Sequence, residues 1–105
     1  MKTRPVVPRA AASHGVERTI DYYLREGSAA TALGFIDALE KAYRHIGRAP
    51  ASGSPRYAHE LDIPGLRSWP LRGYPQVVFY VERVDHVDVW RVLHGERDIP
   101  ETLRS

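Results

Sequence analysis

The sequence contains no cysteine, which excludes disulfide bonds, thiol nucleophiles and thiolate metal sites. It also lacks any apolar run of the roughly 18 residues that a membrane-spanning helix needs. The segment 1–8 has no apolar stretch typical of a secretion signal, so we expect a cytoplasmic protein. With 105 residues, of which 43% are hydrophobic, the composition predicts a single domain over residues 1–105.

Positive charge is only slightly in excess, with a formal net charge of +2. Residues 1–61 carry nine Lys and Arg against six Asp and Glu, whereas residues 62–98 carry five against six. A sheet that grips a nucleic-acid backbone needs one cation for each phosphate that it neutralises. The strand-rich last third of the chain therefore does not predict a strongly basic nucleic-acid platform.

Two segments show the spacing of apolar residues that is typical of helices. The first covers residues 9–26 and has a natural stop at Gly27. Ser28 can cap a second helix, which Gly47 and Pro50 bring to an end. The apolar stripes contain Val16, Ile20, Tyr23 and Leu24 in the first helix and Ala32, Ile36, Leu39, Tyr43 and Ile46 in the second. Because only two residues separate the helices, we expect an αα-hairpin.

The last third of the chain predicts a small antiparallel meander. Its apolar runs cover residues 66–72, 77–81 and 87–93, and its turns cover residues 72–75 and 84–86. Val6 and Val7, between two prolines, predict a short edge strand, and Pro70 indicates a bulge or an edge position for the first run. Residues 49–59 are rich in Pro, Gly, Ser and Ala, and we interpret them as a loop.

These segments together predict an α+β fold. A short N-terminal strand precedes an antiparallel two-helix hairpin, and the hairpin packs on a three- to four-stranded, mainly antiparallel sheet. The aromatic residues of the strands could stack on bases. Alternation along the strands predicts instead that most of them belong to the core.

Few residues are arranged for catalysis. The five histidines form no closely spaced pair suited to a metal ion, so neither a metal nor a cofactor is predicted. His94 stands out because it ends the last strand just before a charged segment, where an imidazole could act as acid or base. A lone histidine at such a place more often only bonds to the following turn. Arg91, within an apolar strand, indicates either an ion pair or a contact with phosphate.

The order of the predicted elements, together with the closing segment, resembles the RelE/ParE superfamily of toxins from type II toxin–antitoxin modules. The resemblance covers nearly the whole chain. Its most specific part is Arg91-Val92-Leu93-His94-Gly95-x-Arg97-Asp98, which is similar to the ParE branch. The segment Gly65-Leu66-Arg67-Ser68-Trp69-Pro70 resembles the strand entry of many of these toxins.

The resemblance implies one of two activities on a shared scaffold. ParE-like members inhibit DNA gyrase and are not enzymes, whereas RelE-like members cut mRNA in the ribosome with a cluster of Lys, Arg, Glu, His and Tyr. This sequence departs from the nuclease pattern, because its two lysines lie outside the predicted sheet and no tyrosine follows Tyr80. Glu60, Arg72 or Arg67, and His94 remain as the nuclease alternative.

The ParE-like interpretation is therefore preferred, with a ribosome-dependent mRNA endoribonuclease as the alternative. A third possibility is a family member that no longer poisons any target and serves only as an antitoxin-binding corepressor. A non-toxic corepressor would not arrest growth when it is expressed alone.

The resemblance also implies a cognate ParD-like antitoxin, whose disordered C-terminal segment folds onto the toxin. Its expected seat is the apolar surface left exposed on the helical hairpin, for which we select Ile20, Tyr23, Leu39 and Tyr43. The residues expected to contact gyrase are Arg67, Arg72, His94, Arg97 and Leu103. Neither a membrane nor direct sequence-specific binding of nucleic acid is expected.

Overall fold

The fold is an α+β arrangement in which two long helices cover one face of a four-stranded sheet, as the sequence predicts. The structure is a computed structural model that describes residues 3–95. Its elements are β1 (Val6–Pro8), α1 (Ala10–Glu26), α2 (Ala29–Arg48), a 3₁₀ turn (Pro50–Ser52), α3 (Arg56–Leu61), β2 (Leu66–Pro70), β3 (Gln76–Glu82) and β4 (Val87–His94). No helix in this part of the chain is long and apolar enough to cross a membrane.

The connection between the two long helices follows the local signals of the sequence. The Ser28 hydroxyl accepts a hydrogen bond from the Thr31 amide at 3.1 Å and so begins α2. The Gly27 amide donates to the Tyr23 carbonyl at 2.9 Å, where α1 ends. The assignment of Leu24 to the buried stripe is wrong, because its side chain is 52% exposed. Leu24 lies about 100° around the helix from Tyr23, which packs inward.

The core lies between the hairpin and the sheet. On α2 the buried stripe is Phe35, Leu39, Ala42 and Ile46, and on the sheet it meets Val78, Val87, Val89 and Val92. The predicted stripe of α2 is correct for Ala32, Leu39 and Ile46 but misses Phe35 and Ala42. Ile36 and Tyr43, which the prediction included, are only half-buried at the border of the core.

The four strands have the order β1-β4-β3-β2, with β1 parallel to β4 and the other pairs antiparallel. β1 and β2 are the edges, so Pro70 lies in an edge strand, where its missing N–H is tolerated. The turn at residues 72–75 includes Gly73, whose φ of 82° favours glycine. A bulge falls in β4: Phe79 pairs with Arg91 and Tyr80 with Val89, which leaves Trp90 as the extra residue.

The interpretation of residues 49–59 as a loop is wrong. The segment forms the 3₁₀ turn and the beginning of α3. α3 packs Tyr57, Ala58 and Leu61 against the sheet face that points away from the hairpin, where Leu66, Phe79 and Val81 are buried. We call this face the outer face and the one beneath the hairpin the inner face. A helix of six residues is too short for its apolar spacing to stand out from a Pro- and Gly-rich background.

Candidate functional site

The three residues of the nuclease alternative do not come together. Glu60 lies on α3, where its carboxylate accepts a hydrogen bond from Arg56 Nε at 3.2 Å. α3 packs beside the beginning of β2, near Leu66, whereas Arg72 follows the end of that strand. Six residues of extended chain separate Leu66 from Arg72, or about 20 Å. The carboxylate is thus at the opposite end of the sheet from the arginine that it would have to assist.

Arg72 and His94 lie at the same end of the sheet. The Leu71 amide donates to the Gln76 carbonyl at 2.9 Å, and Gln76 pairs in turn with His94. Two strand spacings, about 10 Å, therefore separate the β2 and β4 positions in this row. Of the three predicted target residues that lie within residues 3–95, Arg72 and His94 share this end of the sheet.

Arg67, another predicted target residue, is placed differently. Arg67 is half-buried on β2, and its Nη1 donates to the Gly53 carbonyl at 2.8 Å. This hydrogen bond ties the segment before α3 to the sheet, so Arg67 has a structural partner. Arg97 and Leu103 lie outside the described residues.

His94 lines a cavity of about 390 Å³ between α1 and the end of β4. Its buried Nδ1 has no hydrogen-bond partner among residues 3–95, and such a buried polar atom costs about 1–3 kcal/mol when unpaired. Gln76 Nε2 donates to the Tyr23 hydroxyl at 3.2 Å in the same cavity. The cavity therefore brings His94, predicted to face the target, beside Tyr23, predicted to face the antitoxin.

A larger groove of about 590 Å³ runs between α2 and β2. Ala38 and Ala42 present small side chains to it from α2, and Leu71 contributes from the sheet side. Trp69 forms one wall and stacks on the His45 ring, with ring centroids 4.0 Å apart and planes 20° apart. Charged groups at the groove are the Asp37–Lys41 ion pair at 2.9 Å and Arg72. The groove is mostly apolar with a charged rim.

The premise that the four predicted antitoxin residues are exposed is wrong. Leu39 is part of the buried core, and Ile20, Tyr23 and Tyr43 pack half-buried against it. Burial raises the pKa of the Tyr43 hydroxyl to about 12. The exposed apolar side chains of the hairpin are instead Tyr22 (54%), Leu24 (52%) and Leu33 (66%), all near its connection. The apolar stripe of an amphipathic helix faces the core of its own domain. Residues chosen by their helical spacing are therefore core residues.

Sequence reasoning missed a cluster on the outer face around Asp88. Arg9 donates to its two carboxylate oxygens through Nε and Nη2, both at 2.9 Å. Arg83 Nη2 donates at 3.0 Å and Trp90 Nε1 at 3.2 Å. These hydrogen bonds, with that from Arg9 the strongest, lower the pKa of Asp88 to about 2 against the opposing effect of burial. The available signal was an acidic residue between two valines of a predicted strand.

Comparisons with known proteins agree with this architecture. The model of a protein family described as "ParE toxin of type II toxin-antitoxin system, parDE" matches residues 6–99. A solved structure titled "Chromosomal ParDE TA system from P. aeruginosa" contains a similar chain, with a TM-score of 0.75 and 14% sequence identity. That similarity covers 90% of this chain and 98% of the other. No match was found among curated proteins. The family match spans nearly all of the sequence, and the chain therefore belongs to the ParE toxin family of type II toxin–antitoxin systems.

Proposed function

We propose that this ParE-type toxin acts in the cytoplasm by binding and inhibiting DNA gyrase, without being an enzyme itself, and that a ParD-like antitoxin neutralises it. The observation that carries the proposal is the family match over residues 6–99. The positions of Glu60, Arg72 and His94 favour it over an mRNA nuclease, because a base and a cationic clamp must meet at one phosphate.

The proposed contact with gyrase is the end of the sheet that carries Arg72 and His94. Arg72 is exposed in the β2–β3 turn, and His94 opens onto the neighbouring cavity. Arginine is among the residues that most often dominate the energy of an interface. Arg97 and Leu103 remain predicted contributors from the segment that follows β4, while Arg67 is the weakest candidate because of its bond to Gly53.

The test is DNA supercoiling by purified gyrase with the toxin added. We expect loss of supercoiling together with linear, protein-linked DNA, and relief of both effects by the antitoxin. Arg72→Ala is expected to weaken inhibition about tenfold. Arg44→Ala is the matched control, since Arg44 is an exposed arginine on α2 outside the groove. Intact gyrase activity in cells that the toxin still arrests would contradict the proposal and favour mRNA cleavage.

The proposed antitoxin seat is the groove between α2 and β2, with the exposed residues of the hairpin connection beside it. An apolar groove with a charged rim fits the amphipathic helix that a disordered segment forms on binding. This seat replaces the predicted one, whose side chains are largely committed to the core. In this proposal Tyr23 and Tyr43 stabilise the hairpin by packing against the core between the hairpin and the sheet.

Filling the groove should block the antitoxin. Ala38→Arg places a long side chain in the groove, and we expect binding of the antitoxin to weaken at least about thirtyfold. Ala10→Arg is the control, because it makes the same change at an exposed position of α1, at the end of the hairpin opposite its connection and outside the groove. Calorimetric titration of each variant with the antitoxin measures the effect. Equal affinities of the two variants would show that the groove is not the seat.

A further inference from the structure

The outer face of the sheet carries three arginines grouped around a buried aspartate and a tryptophan. We call this group the Asp88 cluster: Arg9, Arg83, Asp88, Trp90 and Arg91. Its carboxylate is nearly enclosed, with a side chain that is 11% exposed, whereas the side chains of Arg9 and Arg83 are 50% and 44% exposed. The hydrogen bonds of the buried Asp88 carboxylate thus fix the positions of two guanidinium groups that face solvent. Such groups lose less conformational entropy on binding than free arginines do.

Trp90 and the bulge complete the cluster. The Arg9 guanidinium carbon lies 4.5 Å from the centroid of the Trp90 ring, which is cation–π distance. Trp90 packs with the residues of the outer face. Since Arg91 pairs with Phe79, another outer-face residue, the bulge brings both Trp90 and Arg91 to this face. The Arg9 guanidinium therefore lies over the Trp90 ring, and Arg91 shares the same face of the sheet.

The charges of the cluster do not cancel. Among residues 3–95, Asp88 is the only acid that bonds to Arg9 and Arg83. With Arg91 on the same face, the cluster carries a formal charge of about +2. Arg9 uses Nε and Nη2 for Asp88, so its Nη1 is left for an acceptor outside the described chain. α3, which covers the β2 side of the outer face, packs on Leu66, Phe79 and Val81 rather than on the cluster.

We propose that the Asp88 cluster binds the phosphate backbone of duplex DNA without reading its sequence. Exposed, pre-positioned guanidinium groups match phosphate oxygens in geometry and charge, and two or three such contacts give weak, salt-sensitive binding. The choice of DNA over an acidic protein rests on the proposed function, because an inhibitor of gyrase works where duplex DNA is bound. The cluster then places the toxin at the DNA of its target while Arg72 and His94 face the enzyme.

The experiment is fluorescence anisotropy of a labelled duplex of mixed sequence, titrated with the full toxin in the absence of gyrase at several salt concentrations. With two or three phosphates contacted, the slope of log K against log salt is expected between about −1.8 and −2.7. Affinity then falls about ten- to fortyfold between roughly 50 and 200 mM salt. Arg83→Gln and Arg91→Gln should each reduce the magnitude of the slope by about one. Arg83→Gln retains the hydrogen bonds of Asp88 with Arg9 and Trp90, which protects the fold.

Arg44→Gln is the matched control, and it should leave the slope unchanged. Absence of salt-dependent binding by the wild type would overturn the proposal, as would equal slopes for Arg44→Gln and Arg83→Gln. Binding of an acidic peptide, sensitive to Arg83→Gln, with no binding of DNA would also overturn it and assign the cluster to a protein partner. Because gyrase is absent from this assay, its outcome is separate from that of the supercoiling assay, which tests the proposed function.

Discussion

The two faces of the sheet are built differently. The inner face is closed by α1 and α2 over a continuous set of buried apolar side chains, whereas the outer face has a six-residue helix over one part and an ion cluster over another. Apolar burial contributes most of the stability of a small domain. The inner face therefore holds the fold together, and the outer face retains charged groups that a partner can reach.

The largest expected effect tests this division of stability. Phe35 of α2, which packs on the inner face, and Phe79 of the outer face are both 0% exposed, so the same truncation can be compared. We expect Phe35→Ala to lower the free energy of unfolding by about 4 kcal/mol and Phe79→Ala by nearer to about 3 kcal/mol. The short α3 can close over the second cavity more easily than two long helices can close over the first.

Equilibrium unfolding in urea measures both losses, with Val84→Ala as a control because Val84 is 95% exposed. A loss for Phe79→Ala equal to or greater than that for Phe35→Ala would break the comparison. It would show that the outer cluster under α3 contributes as much as the main core. The control should change the free energy of unfolding little.

The next effect concerns Asp88 and depends on pH. Its pKa is about 2 in the folded protein, against an ordinary value of 3.8, so the ionised form favours the folded state. The contribution is fully present above about pH 4 and is lost as the pH falls from about 4 to about 2. Its size is roughly 2 kcal/mol. We expect Asp88→Asn to be less stable than the wild type at neutral pH by about this amount.

Urea unfolding at pH values from about 7 to 2.5 tests the pH dependence. The difference in unfolding free energy between Asp88→Asn and the wild type should shrink as the pH falls. Asp37→Asn is the control, since Asp37 forms an exposed ion pair with Lys41, and such pairs contribute little. A difference for Asp88→Asn that stays constant with pH would show that the cluster does not stabilise the carboxylate.

Local signals in the sequence predicted much of the fold. Ser28 and Gly27 marked the helix boundary, and Pro70 marked an edge strand, because each acts through its own backbone or its near neighbours. The burial of Leu39 was also visible in the spacing of α2. The expectation that it is exposed for a partner was wrong, because an apolar stripe alone does not say whether the domain itself or a partner covers it.

The candidate sites were less predictable because their residues are distant in sequence. Arg9 and Asp88 are 79 positions apart, and only the parallel pairing of β1 with β4 brings them together. The charge count by segment missed the cluster for the same reason, since Arg9 belongs to the helical half of the chain. Similarly, Glu60 resembled a catalytic partner of His94 until α3 placed it at the other end of the sheet.

The smallest expected effect compares the helices that cover the two faces. The Ser28 hydroxyl caps α2, which has 20 residues, whereas α3 has six residues and no side-chain cap. Ser28→Ala should lower the free energy of unfolding by about 1 kcal/mol. Ser54→Ala removes a hydroxyl that accepts from the Arg56 amide at 3.2 Å just before α3, and its loss should be smaller. The backbone bonds of Ser54 with Ser68 persist in that variant. If Ser54→Ala lowered the free energy of unfolding in urea more than Ser28→Ala does, α3 would depend on the hydrogen bond at its N-terminus at least as strongly as α2 does. The contrast between the two faces of the sheet would then not extend to the helices that cover them.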